Sequence, residues 1–316
     1  LILLLTVVGL AASYMLMPRD QEVALMQMKD KHFEEARAAY EEQLAKGNLN
    51  IEVVTRLSEL YLQIGAVDKA IDVMEKFIAQ NPANLAARER LGTYYQYAQR
   101  QDDYLRNLEE INALNPRPEN LKILSDIYNF NTEYSKQADA LKRLIESEKG
   151  ANAKHFVDLA SIFAADKNYP EAITTLQGLK ANHPDRFTFH EEELLVTLMF
   201  DSKRTEEAVA EAAHWMDTHP EDYTGNARLI NIVHFRAGAP MAHPLMARFS
   251  EDQVNASPAL LEEYILLMLS DGKDEEAYQR LKTLYANDRL TPELKKRLLF
   301  SAVVRSETEL AKNLLK

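Results

Sequence analysis

The sequence contains no cysteine. That excludes a disulfide framework and any thiolate-ligated metal, and it leaves the redox compartment open, because cytosol and periplasm both suit such a chain. Glycine is scarce, with nine scattered among 316 residues. Neither GxGxxG nor GxxxxGK occurs, so no glycine-rich backbone cradle for a nucleotide phosphate can form. Basic residues number 37 against 49 acidic ones, for a formal net charge of -12. A chain of that sign repels nucleic acid and anionic headgroups, and it has no basic stripe for phosphate contacts. Nucleic acid is therefore excluded as a partner class.

What is present favours helix: Ala, Leu, Glu and Lys abound, and proline stands mostly at boundaries. One pattern is written twice. Leu57, Ser58, Tyr61, Met74, Phe77 and Pro82 recur 34 residues later as Leu91, Gly92, Tyr95, Leu108, Ile111 and Pro116. Extending it through small residues gives a ladder at Ala36, Ala70, Tyr104, Ala138, Ala172, Ala208, Ala242, Ala277 and Ala311. The chain then divides at 17–50, 51–84, 85–118, 119–152, 153–186, 189–222, 223–256, 258–291 and 292–316. Each piece predicts two antiparallel helices that bury a face on each other and on the next piece.

A period of this length, with a bulky-small pair, an aromatic one turn later, a second apolar face and a closing Asn-Pro, resembles the tetratricopeptide repeat. The resemblance implies an all-α, right-handed solenoid of about nine hairpins. Three departures carry expectations of their own. Tyr104 replaces the small residue of the third hairpin, which predicts that the hairpin opens or turns the ring outward. Leu124, Ser125 and Tyr128 come one residue early, which predicts a longer turn around Asn131, Thr132 and Glu133. Gly238, Pro240 and Pro244 predict a shortened or bent second helix in the seventh. The last hairpin stops on Leu314 and Leu315 without a polar cap, so the array is expected to continue beyond Lys316, to meet a partner at that edge, or to self-associate into a homo-oligomer.

Residues 1–17 carry no charge and are mostly Leu, Ile, Val, Ala and Met. As a helix they would run roughly 25 Å against a hydrocarbon core of ~30 Å. This is read as a transmembrane anchor ahead of the array, with a secretory signal cleaved near Ala11 to Ser13 as the alternative. Arg19 followed by Asp20 and Glu22 favours export of the repeats, so the expected location is a single-pass bacterial inner-membrane protein with a periplasmic array.

No constellation points to catalysis, a metal or a cofactor. The run from His190 to Leu194 imitates the start of HExxH, but Leu194 stands where the second histidine is needed. His214 and His219 are off a common helix face and read as surface and turn residues. Paired acids such as Glu34 with Glu35, Glu191 to Glu193, Glu206 with Glu207 and Glu275 with Glu276 lie near helix starts. There they complement the dipole and face solvent. Tyr61, Tyr95, Tyr128, Phe163 and Trp215 read as core.

The resemblance implies that the inner faces of the first helices line a concave groove for a protein partner. Those positions hold Arg90, Thr93 and Tyr97; Lys122, Asp126, Asn129 and Phe130; Asp158; Phe200; and Arg228, Asn231, His234 and Phe235. Tyr97, Phe130, Phe200 and Phe235 would form an intermittent apolar strip for an extended peptide or a helix, unless they pack on the next repeat. The chaperone-tail clamp of some family members is excluded. Asp126 follows Lys122, and Asp158 stands where an asparagine is required. The functional expectation is a membrane-anchored interaction scaffold in the bacterial envelope. A narrower version is the periplasmic array of an exopolysaccharide export protein of the cellulose, poly-N-acetylglucosamine or Pel type. Another is a cytoplasm-facing adaptor for lipopolysaccharide assembly.

Overall fold

The computed structural model describes residues 20–29, 32–147 and 151–315, and every element among them is helical. Residues 1–17, read as a membrane anchor, lie outside that set. Among the described residues no helix is long and apolar enough to cross a membrane. The chain divides into two compact lobes, Leu1–Gly150 and Ala151–Lys316.

The first lobe runs α1 (Asp20–Lys29), α2 (Phe33–Ala45), α3 (Ile51–Gln63), α4 (Val67–Gln80), α5 (Leu85–Tyr97), α6 (Gln101–Leu114), α7 (Pro118–Phe130) and α8 (Tyr134–Glu146). The second contains α9 (Ala153–Ala165), α10 (Tyr169–Asn182), α11 (Phe189–Asp201), α12 (Thr205–Thr218), α13 (Tyr223–Ala237), α14 (Ala239–Met246), α15 (Glu251–Ala256), α16 (Pro258–Ser270), α17 (Asp274–Ala286), α18 (Pro292–Val304) and α19 (Thr308–Leu314). Within each lobe consecutive helices pack on one another, so each hairpin touches mainly its neighbours.

Sequence explains where the helices begin and turn. Most first helices start on side-chain caps: Asn50, Asn84, Asn152, Asp222, Ser257 and Thr291 each accept from the backbone N–H three residues on. Second helices need none, because the turn before them is stitched by backbone bonds. Gly65, Gln99, Thr132, Lys167, Lys203, Gly272 and Ser306 hold positive φ there. The following residue donates back five positions, as Ala66 N–H does to the Tyr61 carbonyl at 2.8 Å.

The small-residue ladder becomes the fourth residue of each second helix. Ala36, Ala70, Ala172, Ala208, Ala242 and Ala277 are completely buried there. Ser58 shows what faces them: its hydroxyl donates to the Ala70 carbonyl at 3.3 Å. The third hairpin does not turn its ring outward: Tyr104 is half-buried. Gly92 occupies the Ser58 place, and a Cβ on it would lie 3.2 Å from Asn107 Nδ2 and 3.7 Å from the Tyr104 ring, so bulk has changed sides. In the fourth hairpin the 131–133 turn is no longer than those at 64–66 and 98–100. The missing residue is in the preceding linker, 115–117 against 81–84, and the whole hairpin slides back by one. Its ladder residue is therefore Gln137, not Ala138. Gln137 is buried, and its Oε1 has no partner. The seventh hairpin is shortened as its prolines require: α14 has eight residues, contains Pro244, and is followed by the separate α15.

Adjacent hairpins of the first lobe share a second recurring contact. The hydroxyls of Tyr61, Tyr95 and Tyr128 donate to Glu41, Glu75 and Glu109 of the preceding hairpin at 2.8, 2.6 and 2.7 Å. The rings are buried, with Lys69, Arg100 and Lys136 over them at 5.6, 5.2 and 5.3 Å from the centroid. Burial and the neighbouring carboxylate push the Tyr61 hydroxyl up to about 12, and the other two also rise.

The Glu191 to Glu193 run is not a solvated face. Glu191 is buried in a capping box, accepting from Thr188 N–H at 2.8 Å. Glu192 is completely buried and meets Lys180 Nζ at 2.7 Å, while the same amine reaches Glu211 at 2.6 Å. A chain folding α11 against α10 and α12 carries this carboxylate inside, and only the lysine makes that tolerable. Trp215 is buried as expected and stacks on His219, with centroids 3.8 Å apart.

Two outcomes are expected. Gly92→Ser and Tyr104→Ala should each destabilise, by about 1 to 3 kcal/mol. The double variant, which recreates the Ser58–Ala70 pair, should recover about 1 kcal/mol of the summed loss, read from urea midpoints; simple additivity would disprove the exchange of bulk. For Glu192, burial raises the pKa to about 7. Its contribution to stability is thus complete below the unfolded value and lost as pH rises through about 7. Glu192→Gln should remove that loss, so the stability of the wild type relative to the variant falls on going from pH 5 to pH 8. A pH-independent difference would refute the assignment.

Candidate functional site

In the first lobe, the groove residues from the sequence lie on α5 and α7. Tyr97 and Phe130 close these two helices at equivalent final positions and are 72% and 88% exposed. Burial of an aromatic ring of this size is worth about 2 kcal/mol or more, so rings left in water at matching positions mark a surface awaiting cover. Asp126 and Asn129 are exposed beside Phe130, and Lys122 is half-buried. Arg90 and Thr93 are occupied within the fold. Arg90 reaches Glu59 at 3.1 Å, and the Thr93 hydroxyl donates to the Glu89 carbonyl at 3.3 Å.

In the second lobe the positions diverge. Asp158 is half-buried and held by Lys154 at 2.5 Å on its own helix. Phe200 does not belong to the apolar strip. It is buried on the side of α11 that meets α13, beneath the Arg236 guanidinium at 5.8 Å, which itself pairs with Asp201. Arg228 is tied to Glu193.

Asn231, His234 and Phe235 do converge. They line a cavity of about 530 Å³ together with Leu266, Leu269 and Ser270 of α16 and Arg297 of α18. Phe235 stands at the end of α13 at 86% exposure. Beneath it is Glu263, a buried carboxylate that accepts from Asn231 Nδ2 at 2.7 Å and meets His234 Nδ1 at 2.7 Å. His234 Nε2 lies 2.8 Å from the Ser270 hydroxyl. Burial raises the Glu263 pKa, opposed by Asn231 and His234. The network fixes the imidazole between two helices, so α13 and α16 present one surface. On the same helix, Phe300, Val303 and Val304 are exposed, at 72%, 60% and 64%, with Phe300 and Val304 three and seven residues on from Arg297 and so on its face of α18.

Sequence reasoning missed Glu263, Leu266, Leu269, Arg297 and Phe300. The signal was available: the groove positions of α13 carried forward onto α16 and α18 arrive at these residues. Removing the acceptor with Glu263→Ala, which strands Asn231 and His234, is expected to cost about 3 kcal/mol. Phe235→Ala should stay within about 0.5 kcal/mol of the parent. Thermal melts separate the two, and equal melting temperatures would show that the buried network carries no structural weight.

Comparison with known proteins follows the same lines. Tetratricopeptide repeat profiles match residues 27–93 and 156–186. Among solved structures, the chain is similar to one of Naa15/Naa10 bound to HypK-THB. The likeness has 12% identity and a TM-score of 0.56, over 89% of this chain and 43% of that one. This chain thus spans less than half the length of that relative. It is also similar to the C-terminal part of a TPR repeat-containing protein from Cytophaga hutchinsonii, with 12% identity over 81% of this chain and 96% of that one, at a TM-score of 0.40. A further likeness is to YrrB, described as a TPR protein with an unusual peptide-binding site, with 11% identity over 60% and 96% of the two chains, at a TM-score of 0.38. No curated protein matches the chain. Residues 27–93 and 156–186 are tetratricopeptide repeats, set in an all-helical repeat array.

Proposed function

We propose that this chain is a docking scaffold, held at the bacterial inner membrane by its apolar first residues with the repeats in the periplasm, and that it acts without catalysis. Tetratricopeptide repeats serve protein–protein interaction in general, and a solved structure similar in fold, that of Naa15/Naa10 bound to HypK-THB, is of a complex. The observation that carries the reading is the exposure of Tyr97, Phe130 and Phe235, each the thirteenth residue of its first helix. An aromatic left almost bare contributes nothing to folding, and its area is available to a partner.

Membrane attachment and envelope assembly rest on the composition of residues 1–17 and the charges after them. The exopolysaccharide-export and lipopolysaccharide-adaptor versions add no residue-level support and are not carried further.

Photo-crosslinking amino acids at 97, 130 and 235 in cells should trap one discrete partner. A probe replacing the exposed Thr174 on a second helix should trap none. Phe130→Ser should abolish the adduct at 97, in the same lobe, with melting temperature unchanged. Equal trapping at 174 and 235 would refute the groove assignment.

A further inference from the structure

Arg297 differs from every other described arginine. Arg90, Arg228, Arg236, Arg248, Arg280 and Arg305 each have a carboxylate, and Arg289 holds a carbonyl. Among the described residues Arg297 makes neither bond, although the chain carries 49 acidic side chains. It stands exposed at a cavity otherwise lined by Phe235, Leu266, Leu269 and the polar His234, Asn231 and Ser270. The carboxylate near this cavity, Glu263, is buried and occupied by Asn231 and His234. A guanidinium left unpaired beside apolar walls has its donors ready for a bidentate carboxylate, in surroundings that strengthen the bond. A second cavity of about 420 Å³ offers no such charge. Its Arg280 lies over the Tyr264 ring at 4.9 Å and near Glu251 at 3.8 Å.

We propose that the groove of α13, α16 and α18 selects a partner segment in which an acidic side chain stands beside an apolar one. The acid sits on Arg297 and the apolar residue against Phe235, Leu266 and Leu269. This rests on the docking reading above and names what is docked. The acid belongs to the interior of the segment rather than to its C-terminus, because exposed apolar side chains, Phe300 and Val304, follow Arg297 on the same face of α18. A chain that runs on buries apolar area on both sides of the cation, and one that stops there forfeits half of it. Elsewhere the net charge of -12 disfavours acidic ligands, so Arg297 also sets where along the surface such a segment comes to rest.

The test is selection by the full chain from two random peptide libraries, one with both termini blocked and one with free C-termini. Wild type should enrich Asp or Glu next to Leu, Ile or Phe from the blocked library. Arg297→Gln should keep the apolar preference and lose the acidic one, with an unchanged melting temperature. Phe235→Ser should lose the apolar one. The leading peptide, synthesised with acetyl and amide ends, should bind wild type about tenfold more tightly than its glutamine counterpart and Arg297→Gln equally with it. Equal binding of the two peptides to wild type, or acidic enrichment only at free C-termini, overturns the proposal while leaving the groove intact. No enrichment from either library, with Phe235→Ser indistinguishable from wild type, overturns the docking reading as well.

Discussion

The two helices of a hairpin come as close as one small side chain allows, and everything else in this chain follows from that distance. Six fully buried alanines at the fourth position of second helices set it. Where the alanine is lost, the opposite helix answers. Tyr104 is admitted because Gly92 faces it, so the spacing is kept while the residues that create it are exchanged. A close hairpin then fixes which residues of the first helix turn outward, and the aromatic end positions of α5, α7 and α13 inherit their exposure from a contact on the other side of the helix.

Much of the architecture was legible because it is periodic. The repeat of 34 residues and the disruption by Pro240 and Pro244 could be read from the sequence, since a hairpin that stacks on its like must repeat its apolar pattern. Illegible were the places where one residue is judged by its neighbours in space. Ala138 stood at the ladder spacing while Gln137 takes the place in the structure, because a linker shorter by one residue is invisible to a fixed period. Phe200 shares its place in the pattern with exposed residues, and only the Arg236 guanidinium above it reveals its burial.

Charge was the property least legible in the sequence. Acidic residues at helix starts are ordinarily solvated, yet Glu191, Glu192 and Glu263 are interior. Each is made tolerable by specific donors: a cap hydroxyl and amide, a lysine, or an asparagine with a histidine. The groove positions of the second lobe follow the same rule. Arg228 and Arg236 are held by Glu193 and Asp201, which leaves Phe235 and Arg297 exposed to solvent.

The tyrosine–carboxylate joints of the first lobe also bear on how such a chain can grow. The second and third hairpins each present a tyrosine to the hairpin before and a glutamate to the hairpin after, so their two ends are complementary. Copying residues 51–84 whole inserts a module whose new joints match the old ones, Glu75 meeting a duplicated Tyr61 as it now meets Tyr95. That permits lengthening without an orphaned hydroxyl or acid. Within the second lobe the pair does not recur: Gln177 stands in the glutamate place with Met199 in the tyrosine place that follows, and Ala213 is followed in the same way by Val233. Duplication of the second or third hairpin therefore preserves joints that those second-lobe hairpins do not have.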